Sequence, residues 1–295
     1  MVNPVLIERD TMTSIGNAIR NKGGATTPLT PGQMPAAINS ISGGGGSAEP
    51  CIVTGTQLAG CSGDPSTSIP VVPHNNWDKI KNLIDYENAF YLSNMFQYRK
   101  DLEAREVEEF LSHSMPNLVN LSSLAWDTNF IDSDIVTHVF DLTLNAPKCL
   151  IFSSLFRNSN IRHAKLTIPE HDADKTFSLN YAYSECRLLN DLEIKGPGLS
   201  QLNNLQGLCE YNSYLKTVTI GDDDTNYSKV KSTTNMFREC SNLKTLTIKG
   251  VNVLPLTAGY VIPNTIQSIK VPAALVDTYK NSTNWSTFAS KISAI

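Results

Sequence analysis

The sequence predicts an α/β fold, a solenoid of parallel strands preceded by a small N-terminal helical module. Three observations carry that prediction. The stretch NMFRECSNLKTLTIKG at 235–250 is echoed by GLCEYNSYLKTVTIG at 207–221 and YAYSECRLLNDLEIKG at 181–196. The aromatic or apolar residues that anchor such stretches, Phe96, Trp126, Phe156, Tyr183, Cys209 and Phe237, recur at intervals of 30, 30, 27, 26 and 28 residues. A period of this length marks a supersecondary unit that cannot bury its own apolar face and must stack on its neighbours. Finally, SGGGGSAEP at 42–50 separates the repeats from the N-terminal segment.

Each anchor is expected to be followed, five or six residues on, by a short strand. The candidates are LEAREV from Leu102, IDSDIV from Ile131, IRHAKLTI from Ile161, LLNDLEI from Leu189, YLKTVTI ending at Ile220 and NLKTLTI ending at Ile248. A last strand, TIQSIKV, lacks the anchor and reaches Ile266 and beyond. In the last three anchored runs apolar residues occupy positions one, four and six, as in Leu243, Leu246 and Ile248. The first two runs carry charges at those places, which predicts distorted or insertion-bearing units. Cys186, Cys240 and Asn212 share a slot three residues before the first Leu of their runs, where a small inward side chain can satisfy backbone at a turn.

Five regions follow: an oligomerisation or attachment module at 1–42, a Gly-rich linker at 43–50, a cap at 51–93, repeats at 94–270 and a C-terminal helical cap at 271–295. In the first region Met12, Ile15 and Ile19 share one helical face, and Gly23 and Gly24 stop that helix. A second helix opens with Thr30 as N-cap, Pro31 at its first position and Gln33 as reciprocal partner, and presents Met34, Ile38 and Ile41. Helices this short need something to pack against, and copies of the same chain or a larger assembly on which it docks are the expected partners, with a small intramolecular cap on the next domain as the alternative. Four consecutive glycines bury nothing, so the linker is a hinge. Within 51–93, NNWDKIKNLIDY predicts a helix with Trp77, Ile80 and Ile84 inward. In the closing segment a helix starting at Pro272 brings Leu275, Val276, Tyr279, Trp285, Phe288 and Ile292 to one apolar surface that seals the last repeat.

The 295 residues are 41% hydrophobic and 18% charged, with a formal net charge of −4, which is ordinary globular composition without a basic field for nucleic acid. No apolar run is long enough to span a membrane, and the N-terminus lacks a signal-peptide core, so synthesis in the cytoplasm without membrane insertion is expected. Cys51, Cys61, Cys149, Cys186, Cys209 and Cys240 lie far apart, which predicts buried free thiols rather than a zinc site or disulfide framework. No nucleophile elbow, phosphate loop or zinc-protease motif occurs, so neither catalysis nor a cofactor is expected. Asp222, Asp224 and Asn226 alternate like the first ligands of a calcium loop, but Tyr227 and Thr233 stand where that loop needs Gly and Glu, so a polar turn is expected. His171, Asp172 and Asp174 read as a solvated loop. Tyr181, Tyr211, Tyr214 and Tyr227 lie at or near loops between repeats and are candidate receptor contacts.

The unit in NMFRECSNLKTLTIKG resembles the BspA-type leucine-rich repeat, and IKVPAALVDTYKNSTNWSTFASKISAI resembles the ending that closes such arrays in bacterial and prophage proteins. MTSIGNAIRNKGGATTPLTPGQMPAAINSI is similar to an N-terminal module of phage tail and baseplate-associated proteins of Gram-positive bacteria. Together these resemblances imply a virion protein whose N-terminus docks on other tail or baseplate proteins. Its repeats would bind a glycan or protein of the bacterial surface, and its copies would form a homotrimer. A structural tail component, a bacterial surface adhesin and a glycan hydrolase are the alternatives.

Overall fold

The computed structural model describes residues 81, 84–100, 102–132, 135–172, 174–257 and 262–295. The helical faces of Met12, Ile15, Ile19, Met34, Ile38 and Ile41, the glycine linker and most of the 51–93 segment lie outside the described residues.

The fold is α/β, built on a seven-stranded parallel sheet. Its strands are β1 (Val139–Thr143), β2 (His163–Thr167), β4 (Asp191–Lys195), β6 (Thr217–Ile220), β7 (Thr245–Ile248), β8 (Ser268–Val271) and β9 (Ile292–Ala294), adjacent in that order. β3 (Phe177–Ser178) and β5 (Leu202–Asn204) pair in a second, short parallel ladder. Isolated parallel bridges Tyr91↔Asn120, Asn120↔Ile151, Ile151↔Ser178 and Asn204↔Ser232 extend that ladder on both sides. Among the described residues the α-helices are α1 (Ala104–Ser112) and α2 (Val276–Asn281).

Alternation explains the strands. In β6 and β7, Thr-Val-Thr-Ile and Thr-Leu-Thr-Ile send Val218, Ile220, Leu246 and Ile248 inward, and β-branched residues suit the pleat. Register keeps like with like: Phe140, Ala164, Leu192, Val218, Leu246 and Ile269 form one continuous inner row. Parallel sheets are usually covered on both faces. This one turns a polar face outward, where His163, Lys165, Asp191, Glu193, Thr217 and Thr219 alternate with the buried row.

Strands expected at Ile161, Leu189, Ile220, Ile248 and Ile266 are present as β2, β4, β6, β7 and β8. The first two expectations are corrected. LEAREV is not a strand; Ala104–Ser112 is α1, which buries Ala104, Val107, Phe110 and Leu111 at helical spacing. The described residues of IDSDIV, Ile131, Asp132, Ile135 and Val136, form no strand either; Ile131 is exposed and the strand of that unit, β1, begins at Val139. The charges that disturb these units include a buried pair, Arg99 Nη1 to Glu106 Oε2 at 3.0 Å. Burial pushes the Glu106 carboxyl above its ordinary value, and Arg99 pulls against that shift.

One anchor is also corrected. Backbone bonds Phe96 N to Leu124 O, Ala125 N to Leu155 O and Phe156 N to Ala182 O put Ala125, not Trp126, in register with Phe96 and Phe156. Ala125 is buried and Trp126 is turned toward the surface. Tyr183, Cys209 and Phe237 follow in the same register through Tyr183 N to Leu208 O and Cys209 N to Met236 O.

The small-side-chain slot three residues past each anchor does what its position suggests. Cys186 Sγ reaches Phe156 O at 2.9 Å, Asn212 Nδ2 reaches Tyr183 O at 2.8 Å and Cys240 Sγ reaches Cys209 O at 2.8 Å. Each donates to the anchor carbonyl of the preceding unit. Cys149, Cys186, Cys209 and Cys240 are buried free thiols, and burial pushes their pKa values up, Cys186 to about 11. Cys51 and Cys61 lie outside the described residues.

At the far end α2 is followed by a short 3-10 helix (Ser286–Lys291) and by β9, so the closing segment ends as an added strand rather than purely as a helical cap. Tyr279, Trp285 and Ile292 are buried, and Leu275, Val276 and Phe288 pack on the core from its rim. Trp285 Nε1 donates to Leu254 O at 2.7 Å and Tyr279 Oη accepts from Leu254 N at 3.0 Å, which ties the segment to the last repeat.

Candidate functional site: the left-handed turn row

Every unit turns the same way around its anchor. The residues two before and two after it are left-handed in all six units: Asn94 and Tyr98, Ser123 and Asp127, Ser154 and Asn158, Tyr181 and Glu185, Gly207 and Tyr211, Asn235 and Glu239, with φ between 52° and 62°. The alternation points N–H groups along the stack. Asn94 N donates to Ser122 O at 3.1 Å, Phe96 N to Leu124 O at 2.7 Å and Tyr98 N to Trp126 O at 2.9 Å, and Tyr181, Tyr183 and Glu185 repeat this toward Gln206, Leu208 and Glu210. The intervening N–H groups close tight turns, as in Ala182 N to Leu179 O and Ser184 N to Tyr181 O. The turn is thereby braced by backbone bonds both along the stack and within itself.

That platform presents one residue per unit two places past the anchor: Tyr98, Asp127, Asn158, Glu185, Tyr211 and Glu239. Tyr98 is 55% exposed and Tyr211 38%. Between them the polar members are held by neighbours. Asp127 Oδ1 accepts from Lys100 Nζ at 3.0 Å and from Asn158 Nδ2 at 2.7 Å. Glu185 Oε1 accepts from Arg157 Nε at 3.0 Å and Nη2 at 2.5 Å. The Arg157 guanidinium lies 5.9 Å from the Trp126 ring centre and 5.8 Å from that of Tyr181, and Tyr98 packs 5.6 Å from Trp126. Arg238 lies over Tyr211 at 5.3 Å. Burial pushes the Glu210 carboxyl above its ordinary value, against the pull of Arg157 and Arg238 beside it.

The four tyrosines singled out in the sequence part company here. Tyr211 belongs to the row. Tyr181 lies beside it, half-buried, with Gln206 Nε2 donating to its hydroxyl at 2.7 Å. Tyr214 is 55% exposed but sits beyond the turn, outside the row. Tyr227 is a correction: it is 0% exposed, and its hydroxyl lies 2.6 Å from Lys249 O and 3.0 Å from Ile220 O, so it is core rather than a contact surface. Its ring fits because Gly221 (φ 92°) has no Cβ, which would sit 2.0 Å from the Tyr227 hydroxyl. Sequence reasoning passed over Tyr98 and took Trp126 as an anchor; the signal that finds both is the constant offset from a correctly registered anchor.

The remaining candidates are structural. Asp222 Oδ2 accepts from Gly196 N at 2.6 Å, Asn226 Oδ1 accepts from Ser228 N at 2.9 Å and Asp224 is exposed, so the alternating run is a turn braced on the preceding unit. Among the described residues no group of three or more His, Cys, Asp or Glu could hold a metal ion. His171 is a second correction: it is buried, 4.8 Å from the Phe177 ring and 6.3 Å from Phe152, and only Asp172 and Asp174 lie toward solvent. No helix among the described residues is long and apolar enough to cross a membrane. No protein-family model matches the chain, and no curated protein matches its sequence.

Proposed function

We propose that the stacked units are a leucine-rich-repeat solenoid of the BspA type and that the protein is a receptor-binding component of a phage tail. Residues 1–42 attach it to the tail or baseplate, and the repeats face the bacterial surface. The observation that carries this reading is the row at the left-handed turns, in which units present aromatic and hydrogen-bonding side chains outward at one fixed place. Binding groups set on a rigid ladder lose little freedom on binding, which favours recognition by a regular surface polymer. Several copies on one particle, arranged as a homotrimer, raise avidity well beyond that of one weak site.

Antibodies against the chain, applied to particles from an induced culture, test it. Gold label at the tail tip, together with slowed adsorption when purified chain is added to the cells, is the expected result. Tail label without competition assigns a structural role instead, and label confined to the bacterial envelope makes the protein an adhesin; either overturns the proposal.

A further inference from the structure

Left-handed backbone is costly for most side chains, and Gly, Asn and Asp relieve that cost. Glycine stands at one of the twelve left-handed turn positions, Gly207, and Asn or Asp at four, Asn94, Asp127, Asn158 and Asn235. Tyr98 and Tyr211 are bulky residues in the same conformation, both two places past the anchor and both open to solvent. Core packing does not explain them, because neither side chain enters the core; Tyr98 lies against Trp126 and Tyr211 beneath Arg238, at the surface. Strain retained at exposed aromatic positions points to use of the side chains themselves.

Their placement defines that use. Tyr98 and Tyr211 bracket a stretch of the row with Asp127, Asn158 and Glu185 between, and Glu239 follows one unit beyond Tyr211. The two tyrosines are four unit steps apart, each about 4.8 Å, or about 19 Å in all. We propose that this row is a binding site for an extended, neutral polysaccharide lying along the stack, with one sugar ring per unit; the proposal rests on the receptor-binding reading above. A pyranose is amphipathic in the way the row is: its C–H face packs on an aromatic ring, and its hydroxyls bond planar carboxylates and amides. A neutral chain fits the stretch between the two tyrosines because its charges are already matched, Asp127 by Lys100 and Glu185 by Arg157. A folded protein partner fits less well, since the row is narrow and polar and lacks the apolar centre of a stable protein interface.

The test uses the full chain, sedimented with purified Gram-positive cell walls, beside Tyr98→Asn and Tyr211→Asn. Asparagine tolerates the left-handed conformation, so both variants are expected to melt at or above the wild-type temperature while binding falls several-fold to about tenfold each. Periodate, which cleaves vicinal diols, is expected to abolish wall binding, protease treatment of the walls to leave it, and the neutral polysaccharide released from the walls by mild acid to compete. Undiminished binding by both variants places the ligand elsewhere and overturns the row while leaving the receptor reading intact. Loss of binding on protease treatment, or competition by the anionic wall polymer alone, overturns the neutral glycan. If wild-type chain sediments with no wall, the receptor reading itself fails.

Discussion

The carbonyl ladder inside the turns can be broken at one point. Asn212 is fully buried and donates from Nδ2 to Tyr183 O at 2.8 Å, the bond that Cys186 and Cys240 make through sulfur in their own units. Asn212→Ala removes the donor and leaves the carbonyl facing an apolar gap. Losing one partner of a buried hydrogen bond costs about 1–3 kcal/mol. Taking about 2 kcal/mol, the melting midpoint of a chain of this size falls by roughly 4–8 °C. Asn212→Cys restores a donor and removes Asn212 Oδ1, which is buried without a partner, so most of the loss is expected to return. Urea melts of wild type and both variants give the free energies, and an unchanged slope shows that the unfolded states are comparable. If Asn212→Ala stays within about 0.5 kcal/mol of wild type, or if Asn212→Cys is the weaker variant, the slot is not a bonding position and the argument is wrong.

Three further outcomes follow from the same structure. Arg99→Ala strands the Glu106 carboxylate in the core and is expected to cost about 3–5 kcal/mol, whereas replacing Arg99 and Glu106 together with Met is expected to be near neutral; denaturant melts of the single and double variants decide it. Burial holds the His171 pKa below its ordinary 6.5, so the unfolded chain takes the proton first: stability is full above about 6.5 and is lost as pH falls from there through the folded value. Subtracting the pH profile of His171→Leu from that of wild type should isolate this slope, and equal profiles would contradict it. Truncation after residue 270 removes Tyr279 and Trp285 from the core edge and is expected to give insoluble protein, while a soluble, cooperatively melting product would refute the sealing role of that segment.

The strands of the later units were legible because Thr-Val-Thr-Ile and Thr-Leu-Thr-Ile combine strict alternation with β-branched residues, a pattern a helix cannot satisfy. The first two units were not, for a definite reason. Extending the later spacing backward made LEAREV a strand, although Ala104, Val107, Phe110 and Leu111 already had helical spacing. The same extrapolation stopped at Ile131 and missed the alternation of Phe140 and Leu142 in β1. Trp126 drew the anchor by size, whereas register belongs to the backbone, and that places small Ala125 inside. Tyr227 could not be recognised as core from its polar neighbours, because its room is made by Gly221 and Gly250 at the edges of adjoining segments. The turn row was hidden for a related reason: its common feature is a dihedral angle, and Tyr, Glu, Asp and Asn all adopt it there.

The most direct measurement of the central claim is sedimentation of labelled full chain with Gram-positive cell walls, read as bound fraction against chain concentration. The account expects saturable binding that tightens when the chain is clustered, as it would be on a particle. A bound fraction that never rises above that of an unrelated protein of equal charge, at any wall tested, would contradict it.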